Sequence, residues 1–400
     1  MKKKMRMLTA ILALFLLMSI TGCGGVKDSE GTMLIKPGQK WIQAMEPGGT
    51  FSDTGYYAIK GRHFYFLNTT SGEYGALCEK EGCLHADEKD PVAYESCGAY
   101  ISPNAQWGRH ICFWEGYLYY IEMDCKLYRY APDGTGRTLI CDLGTQNANE
   151  QRLLNRHVFA DGYWYFDSQV SVRHENPDGS FSYSYKDESV IRVNLKTGEE
   201  ELLADEANRR VYLVAVSDGD VLYETFLRLE KYEMFYGQEP VKVKHYDGQT
   251  GRITTLVETT ANMINSTPAL VNGKVYYLQE KIKIERKYDC YDLITGEQSV
   301  TSEIPGGNDI GGGYAIYMDQ DTSDRYLFDQ KANKRLPYDI EPWIWQVRCT
   351  TDRGCVLVDM LQDGYVTEHY REFYVPYAAL ADGLQESDLI VFDTRSIRWS

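Results

Sequence analysis

The chain has 400 residues, 43% hydrophobic, 13% aromatic and 25% charged, with a formal charge of -16. That balance describes a soluble, core-forming protein and excludes a coiled coil, a collagen and a polytopic membrane protein. Length alone allows two or three domains, while the 32 Tyr favour strands, because flat aromatic rings suit a pleated, half-buried surface.

The chain opens on a targeting pattern. Lys2, Lys3, Lys4 and Arg6 precede an apolar run over residues 8–18 that is short for a bilayer span. Ile20-Thr21-Gly22-Cys23 then resembles a bacterial lipobox. The resemblance implies diacylglycerol transfer to the Cys23 sulfur, later palmitate-type acylation, and cleavage just before that residue. Residues 1–22 read as a lipoprotein signal peptide, and 23–50 as the lipidated Cys and a flexible tether rich in Gly and Pro. An ordinary signal peptide or an anchor helix is the alternative. The expected location is the extracytoplasmic face of the cell membrane, with the lipid anchor as the membrane contact. Losing four basic residues takes the formal charge from -16 to -20. Nucleic acid and anionic lipid would be repelled, so no nucleic-acid partner is expected and acyl chains must hold the protein to the membrane.

A repeat organises residues 51–400. A turn glycine followed by aromatic or β-branched alternation recurs at Gly61, Gly116, Gly162, Gly219, Gly273, Gly313 and Gly354, spaced 40 to 57 residues apart. A second turn follows most of them: Ser71-Gly72, Thr135-Gly136, Thr197-Gly198, Thr250-Gly251 and Thr295-Gly296, usually after Asp or Asn. Glycine supplies the positive φ of a tight turn. The sixth unit substitutes Ala332-Asn333, since Asn also adopts that conformation, and the seventh is expected to turn at Asp393-Thr394-Arg395-Ser396. Two hairpins per unit make a four-stranded antiparallel sheet. The pattern predicts an all-β chain forming one β-propeller of seven blades, with six or eight as alternatives. The first unit is tight, and Tyr377-Ala-Ala-Leu-Ala-Asp382 reads as one short helical turn.

Blades three, four and seven have the longest first-to-second-turn distances, which read as excursions between their second and third strands. Loops on one end of a rigid scaffold are where binding usually sits. The candidate binding face is therefore His174, Tyr183 and Tyr185 in blade three, Tyr232, Phe235 and Tyr236 in blade four, and His369, Tyr370 and Tyr374 in blade seven. Aromatics there suit sugar stacking or a protein partner. The alternative is that these hairpins pack on neighbouring blades.

Cysteines supply the sharpest local pattern. Cys78, Cys83, His85 and Cys97 form C-x4-C-x-H-x11-C, the ligand set of a closed structural zinc site. In an oxidising compartment one disulfide plus a thiol is the rival reading. Cys349 with Cys355, and Cys125 with Cys141, are further candidate disulfides, whereas Cys112 and Cys290 read as buried thiols in strands.

The segment from Leu77-Cys78 through His85 to Cys97-Gly98-Ala99, together with the lipobox and the repeat, resembles a family of bacterial cell-surface lipoproteins, largely of Gram-positive anaerobes. The resemblance implies a propeller fold and an extracytoplasmic location, and no activity.

No Gly-x-Ser-x-Gly, His-Glu-x-x-His, P-loop or dinucleotide-binding motif is present. The seven Trp do not follow the repeat, unlike those of quinone-dependent dehydrogenase propellers. The expected function is non-catalytic binding of a glycan, peptide or protein. An extracytoplasmic polysaccharide hydrolase or lyase, and a structural or sensory subunit of an envelope complex, are the alternatives.

Overall fold

A computed structural model describes residues 35, 39, 41–43, 49–83, 92, 95–102, 110–122, 124–145, 147–206, 209–227, 241–259, 269–271, 273–278, 288–301, 308–318, 325–340, 343–363 and 367–398. The protein is all-β, with seven four-stranded antiparallel blades arranged as a β-propeller.

A short strand β1 (Ile42–Gln43) precedes the blades. Blade one is β2 (Gly49–Phe51), β3 (Gly55–Lys60), β4 (His63–Asn68) and β5 (Tyr74–Ala76). Blade two is β6 (His110–Trp114), β7 (Tyr117–Ile121), β8 (Lys126–Tyr130) and β9 (Thr138–Asp142). Blade three is β10 (Glu150–Ala160), β11 (Tyr163–Glu175), β12 (Phe181–Asn194) and β13 (Glu200–Asp205). Blade four is β14 (Arg209–Ser217), β15 (Asp220–Leu227), β16 (Val241–Tyr246) and β17 (Ile253–Thr259). Blade five is β18 (Ala269–Val271), β19 (Lys274–Leu278), β20 (Tyr288–Asp292) and β21 (Gln298–Thr301). Blade six is β22 (Asn308–Gly311), β23 (Tyr314–Met318), β24 (Arg325–Asp329) and β25 (Lys334–Leu336). Beyond it, β26 (Tyr338–Asp339) leads into β27 (Trp343–Thr350), β28 (Gly354–Asp363) and β29 (Thr367–Pro376) of blade seven. β30 (Leu384–Gln385) pairs in parallel with β26, and β31 (Ile390–Arg398) completes the last blade.

The second turns share one chemistry. Asn68, Asn194, Asp247, Asp292 and Asp329 each accept hydrogen bonds from the backbone N–H groups two and three residues on, at 2.8–3.1 Å. This Asx arrangement holds the turn while the residue after it takes positive φ. Asn333 does so at φ 51, as the blade-six substitution predicts.

Two expectations are corrected. Gly61 lies between β3 and β4, the second and third strands of its blade, and not between the first and second. The first turn of blade one is residues 52–54, closed by Ser52 N–H donating to the Gly55 carbonyl at 2.8 Å, so the short Gly61-to-Gly72 spacing holds only the third strand of the blade. Asp393–Ser396 is not a turn either. It lies inside β31, and the connection before it is a 3-10 helix (Tyr377–Asp382) plus β30. The Tyr377 hydroxyl donates to the Ile310 carbonyl at 2.6 Å, which fixes that excursion on blade six.

The chain divides into two compact units, Ala44–Ala207 with Pro305–Ser400, and Met1–Gln43 with Asn208–Ile304. The larger holds blades six, seven, one, two and three, joined in that order by buried clusters. Ile316, Leu327, Leu357 and Phe373 join six to seven. Tyr56 and Leu67 meet Val356 and Tyr374 between seven and one. Tyr57 and Phe64 meet Leu118 and Tyr120 between one and two. Leu127 meets Trp164 and Phe166 between two and three. Each fully buried side chain of this size contributes about 1.5–3 kcal/mol. The smaller unit holds blades four and five, packed through Leu222, Val243, Val275 and Leu293. It also holds β1, which adds a fifth strand to blade four by pairing with β14. Part of the stretch expected to be a tether is therefore built into a blade.

Candidate metal centre and binding arm

The cysteine segment is the connection from blade one to blade two. Leu77 N–H donates to the Phe64 carbonyl and Phe64 N–H to the Ala99 carbonyl, both at 2.9 Å. Ile101 N–H donates to the Arg62 carbonyl at 2.9 Å. The outgoing and returning chains are thus held on β4, and Cys78, Cys83 and Cys97 meet. Their Sγ atoms all lie within 4.8 Å of one another. Thiolates on one tetrahedral zinc stand roughly 3.8 Å apart, from ~2.3 Å bonds, so the three sulfurs can close on one ion with small shifts. Cys97 is buried and the other two are half-buried.

The thiols differ in acidity. Burial pushes Cys78 up, but the N–H groups of Lys80 and Gly98 and the thiols of Cys83 and Cys97 outweigh it, and the net shift is downward. Burial, with the neighbouring thiols of Cys83 and Cys78, raises Cys97 to about 12 against the Ala99 N–H. An ion would have to displace that proton on binding. His85, expected as fourth ligand, lies outside the described residues.

None of the nine described cysteines is in a disulfide. Two expected bridges are corrected. Cys349 pairs with Val356 and Cys355 with Thr350, so the two thiols point to opposite faces of the β27–β28 hairpin. One packs toward blade one and the other toward blade six. Cys141 stands opposite Leu127, while Cys125 donates to the Arg152 carbonyl at 3.1 Å. Cys112 and Cys290 are buried, as their strand positions predict.

Blade three carries an arm. Its middle strands run 13 and 14 residues. β13 pairs with β12 only from Ser189 to Val193, so among the described residues no strand covers the outer edge of residues 181–187. A register shift between Ser168 and Val170, with Asp187 at φ 53 opposite it, bends the hairpin where it leaves the blade. The tip is closed by Asn176 N–H donating to the Ser180 carbonyl at 2.8 Å, with Gly179 at φ 78. Strand alternation puts Phe181, Tyr183 and Tyr185 on one face and Ser182 and Ser184 on the other. The three rings are 44%, 60% and 38% exposed. The Arg173 guanidinium lies over the Phe181 ring at 3.5 Å, and His174 hydrogen-bonds Ser184 at 2.7 Å. Lys186 donates to Glu150 at 3.0 Å, bracing the base.

The other binding-face residues fare differently. Tyr374 is not on a surface: it is 5% exposed and its ring lies 5.8 Å from Phe51, because blade seven needs it against blade one. His369 and Tyr370 are half-buried on β29. Tyr232, Phe235 and Tyr236 lie outside the described residues, as does Cys23.

Several buried ionisable groups are tied into the blades. His110 Nδ1 lies 3.3 Å from His157 Nδ1, His110 Nε2 faces the Leu154 carbonyl at 3.2 Å, and Trp164 Nε1 donates to His157 Nδ1 at 2.9 Å. Burial lowers His110 to about 4, and burial with His110 beside it lowers His157 well below the usual range. Asp167, Glu224 and Asp359 are 0%, 2% and 0% exposed. Each stands five residues after its turn glycine, a repeated signal that sequence reasoning missed. Asp359 accepts from Arg371 Nη2 at 2.6 Å and Nε at 2.9 Å.

No family model matches the chain, and no curated sequence does. Among solved structures it is similar to a Mycobacterium tuberculosis puromycin-hydrolyzing peptidase at 12% identity and TM-score 0.50, over 88% of this chain and 56% of that one. An oligogalacturonate lyase in complex with manganese is similar at 12% identity and TM-score 0.40, over 81% and 95% of the two chains. A computationally designed protein is similar at 12% identity and TM-score 0.41, over 90% and 98%. The likeness to the peptidase reaches the fold and no further.

Proposed function

We propose that this chain is a lipid-anchored extracytoplasmic protein whose propeller binds a glycan or an extended protein segment without transforming it. The blade-three arm carries the reading. Three aromatic rings exposed on one face of a projecting strand are a liability for a protein with no partner, because such edges recruit other chains. Tyr and Ser alternation on a rigid hairpin supplies broad contact at low entropic cost, with adaptable hydrogen bonds beside it. His110, His157 and Asp359 serve contacts between strands and blades, which favours binding over catalysis. Cys78, Cys83 and Cys97, with His85, are read as ligands of a structural zinc that would clasp the blade-one connection. A signal peptide ending at residue 22 and acylation of Cys23 place the chain at the cell membrane in this reading.

The test is a screen of residues 23–400, carrying Cys23→Ser to keep the chain unacylated, against defined glycans, peptides and cell-wall polymers. Saturable binding to one class supports the proposal. Turnover of any bound polymer, or the absence of binding across all classes, contradicts it.

A further inference from the structure

Ile35, Gln39, Trp41 and β1 precede the first blade in sequence, yet they are built onto blade four. Ile35 is 1% exposed and packs in the core shared by blades four and five. Gln39 Nε2 donates to Asp220 Oδ2 at 2.9 Å and to the Ser217 carbonyl at 3.4 Å. The Trp41 ring meets His245 edge-on at 6.3 Å. β1 then pairs Ile42 with Val216 and Gln43 with Ala215, on the edge of β14 away from β15.

These contacts have a direction. β14 runs toward the Asp218-Gly219 turn, and β1 is antiparallel to it. Chain upstream of β1 therefore lies at the turn end of the blade, where Gln39 bridges Ser217 and Asp220 on either side of the turn. Asp220 also accepts from Gly248 N–H at 2.9 Å and faces His245 Nε2 at 3.5 Å. One carboxylate thus joins the N-terminal segment to both turns at that end of blade four.

We propose that Ile35, Gln39, Trp41 and β1 act together as a strap that presents the Asp218-Gly219 end of blade four to the bilayer. The inference rests on acylation of Cys23. From Cys23 to Ile35 the chain reaches at most about 40 Å, whereas without the strap the leash to Gly49 would reach about 90 Å. The nearby Asp218 and Asp247 would not attract an anionic bilayer. Orientation comes from where the leash is fastened, not from surface charge.

The test uses full-length acylated protein in phosphatidylcholine–phosphatidylglycerol vesicles carrying an acceptor dye on the headgroup. A donor is attached through an encoded azide residue at Asp218 or at Glu258, two exposed positions at opposite ends of blade four. They stand about 20 Å apart by strand rise. Energy transfer at least twofold stronger from position 218, and equal from both after residues 35–43 are replaced by Gly and Ser, is the expected result. Gln39→Ala, which removes the turn contact, should narrow the difference without unfolding the chain. Equal transfer in the acylated wild type, or a difference that survives both variants, overturns the strap alone. A Cys23 that mass spectrometry finds unacylated overturns the anchor reading and the strap's orientation together.

Discussion

The backbone N–H of Gly98 donates to Cys78 Sγ at 3.2 Å, across the gap between the outgoing and returning arms of the blade-one connection. A Cβ at Gly98 would stand 3.1 Å from that sulfur, tighter than ordinary contact. If the cluster holds zinc, Cys83→Ser should remove about one zinc per chain, and Gly98→Ala should weaken zinc about 10- to 100-fold through the lost orientation of a ligand. Elemental analysis and chelator competition on protein purified without affinity metal read both. Absence of metal in the wild type would leave three thiols as a structural cluster.

Thiol chemistry gives a separate check. Alkylation of the denatured, metal-stripped 23–400 chain carrying Cys23→Ser should modify all nine remaining cysteines. Two fewer would mean a disulfide. The opposed faces of Cys349 and Cys355 then point the search to Cys78, Cys83 and Cys97, whose sulfurs already adjoin.

Acid should destabilise the fold through His110 and His157. Both are held neutral in the native chain, His110 down to about 4, while an unfolded histidine titrates near 6.5. Below about 6.5 the unfolded chain takes up protons the native one refuses, so stability falls with pH, by about 3 kcal/mol for His110 down to its native value. Urea unfolding at pH 7 and pH 5 should show a lower midpoint at pH 5. His110→Gln should reduce that fall.

Asp359 is fully buried, and the Arg371 guanidinium holds it, with Nη2 at 2.6 Å and Nε at 2.9 Å from Oδ2. Arg371→Met would leave a buried carboxylate without its cation, a loss of about 3–5 kcal/mol. Lys186→Met removes an exposed partner of Glu150 and Asp187 and should cost less than about 1 kcal/mol. Thermal melting of the two variants distinguishes them.

The repeat was legible because two local rules reinforced it. Gly162-Tyr-Trp-Tyr-Phe shows both a positive-φ turn and strand alternation, and Asp292 through Gly296 shows an Asx turn. Blade one misled because Gly61 is the same kind of turn at the other end of a sheet, and a turn type does not state which strands it joins. Tyr374 misled because alternation tells which residues share a face, not which neighbouring blade covers it. The meeting of Cys78, Cys83 and Cys97 was readable from spacing, since a short connection must return to β4. The pairing of β1 with β14 was not readable, because it joins segments about 170 residues apart with only two residues of register.

The central claim is that the blade-three arm is the binding surface. Phe181→Ser, Tyr183→Ser and Tyr185→Ser together remove its exposed rings, and each change on this solvated strand should cost less than about 0.5 kcal/mol of stability. Titration of whichever glycan or peptide binds the wild type should then show at least a tenfold loss of affinity in the triple variant, with a melting temperature lowered by no more than a few degrees. Equal affinity in the triple variant would contradict the account.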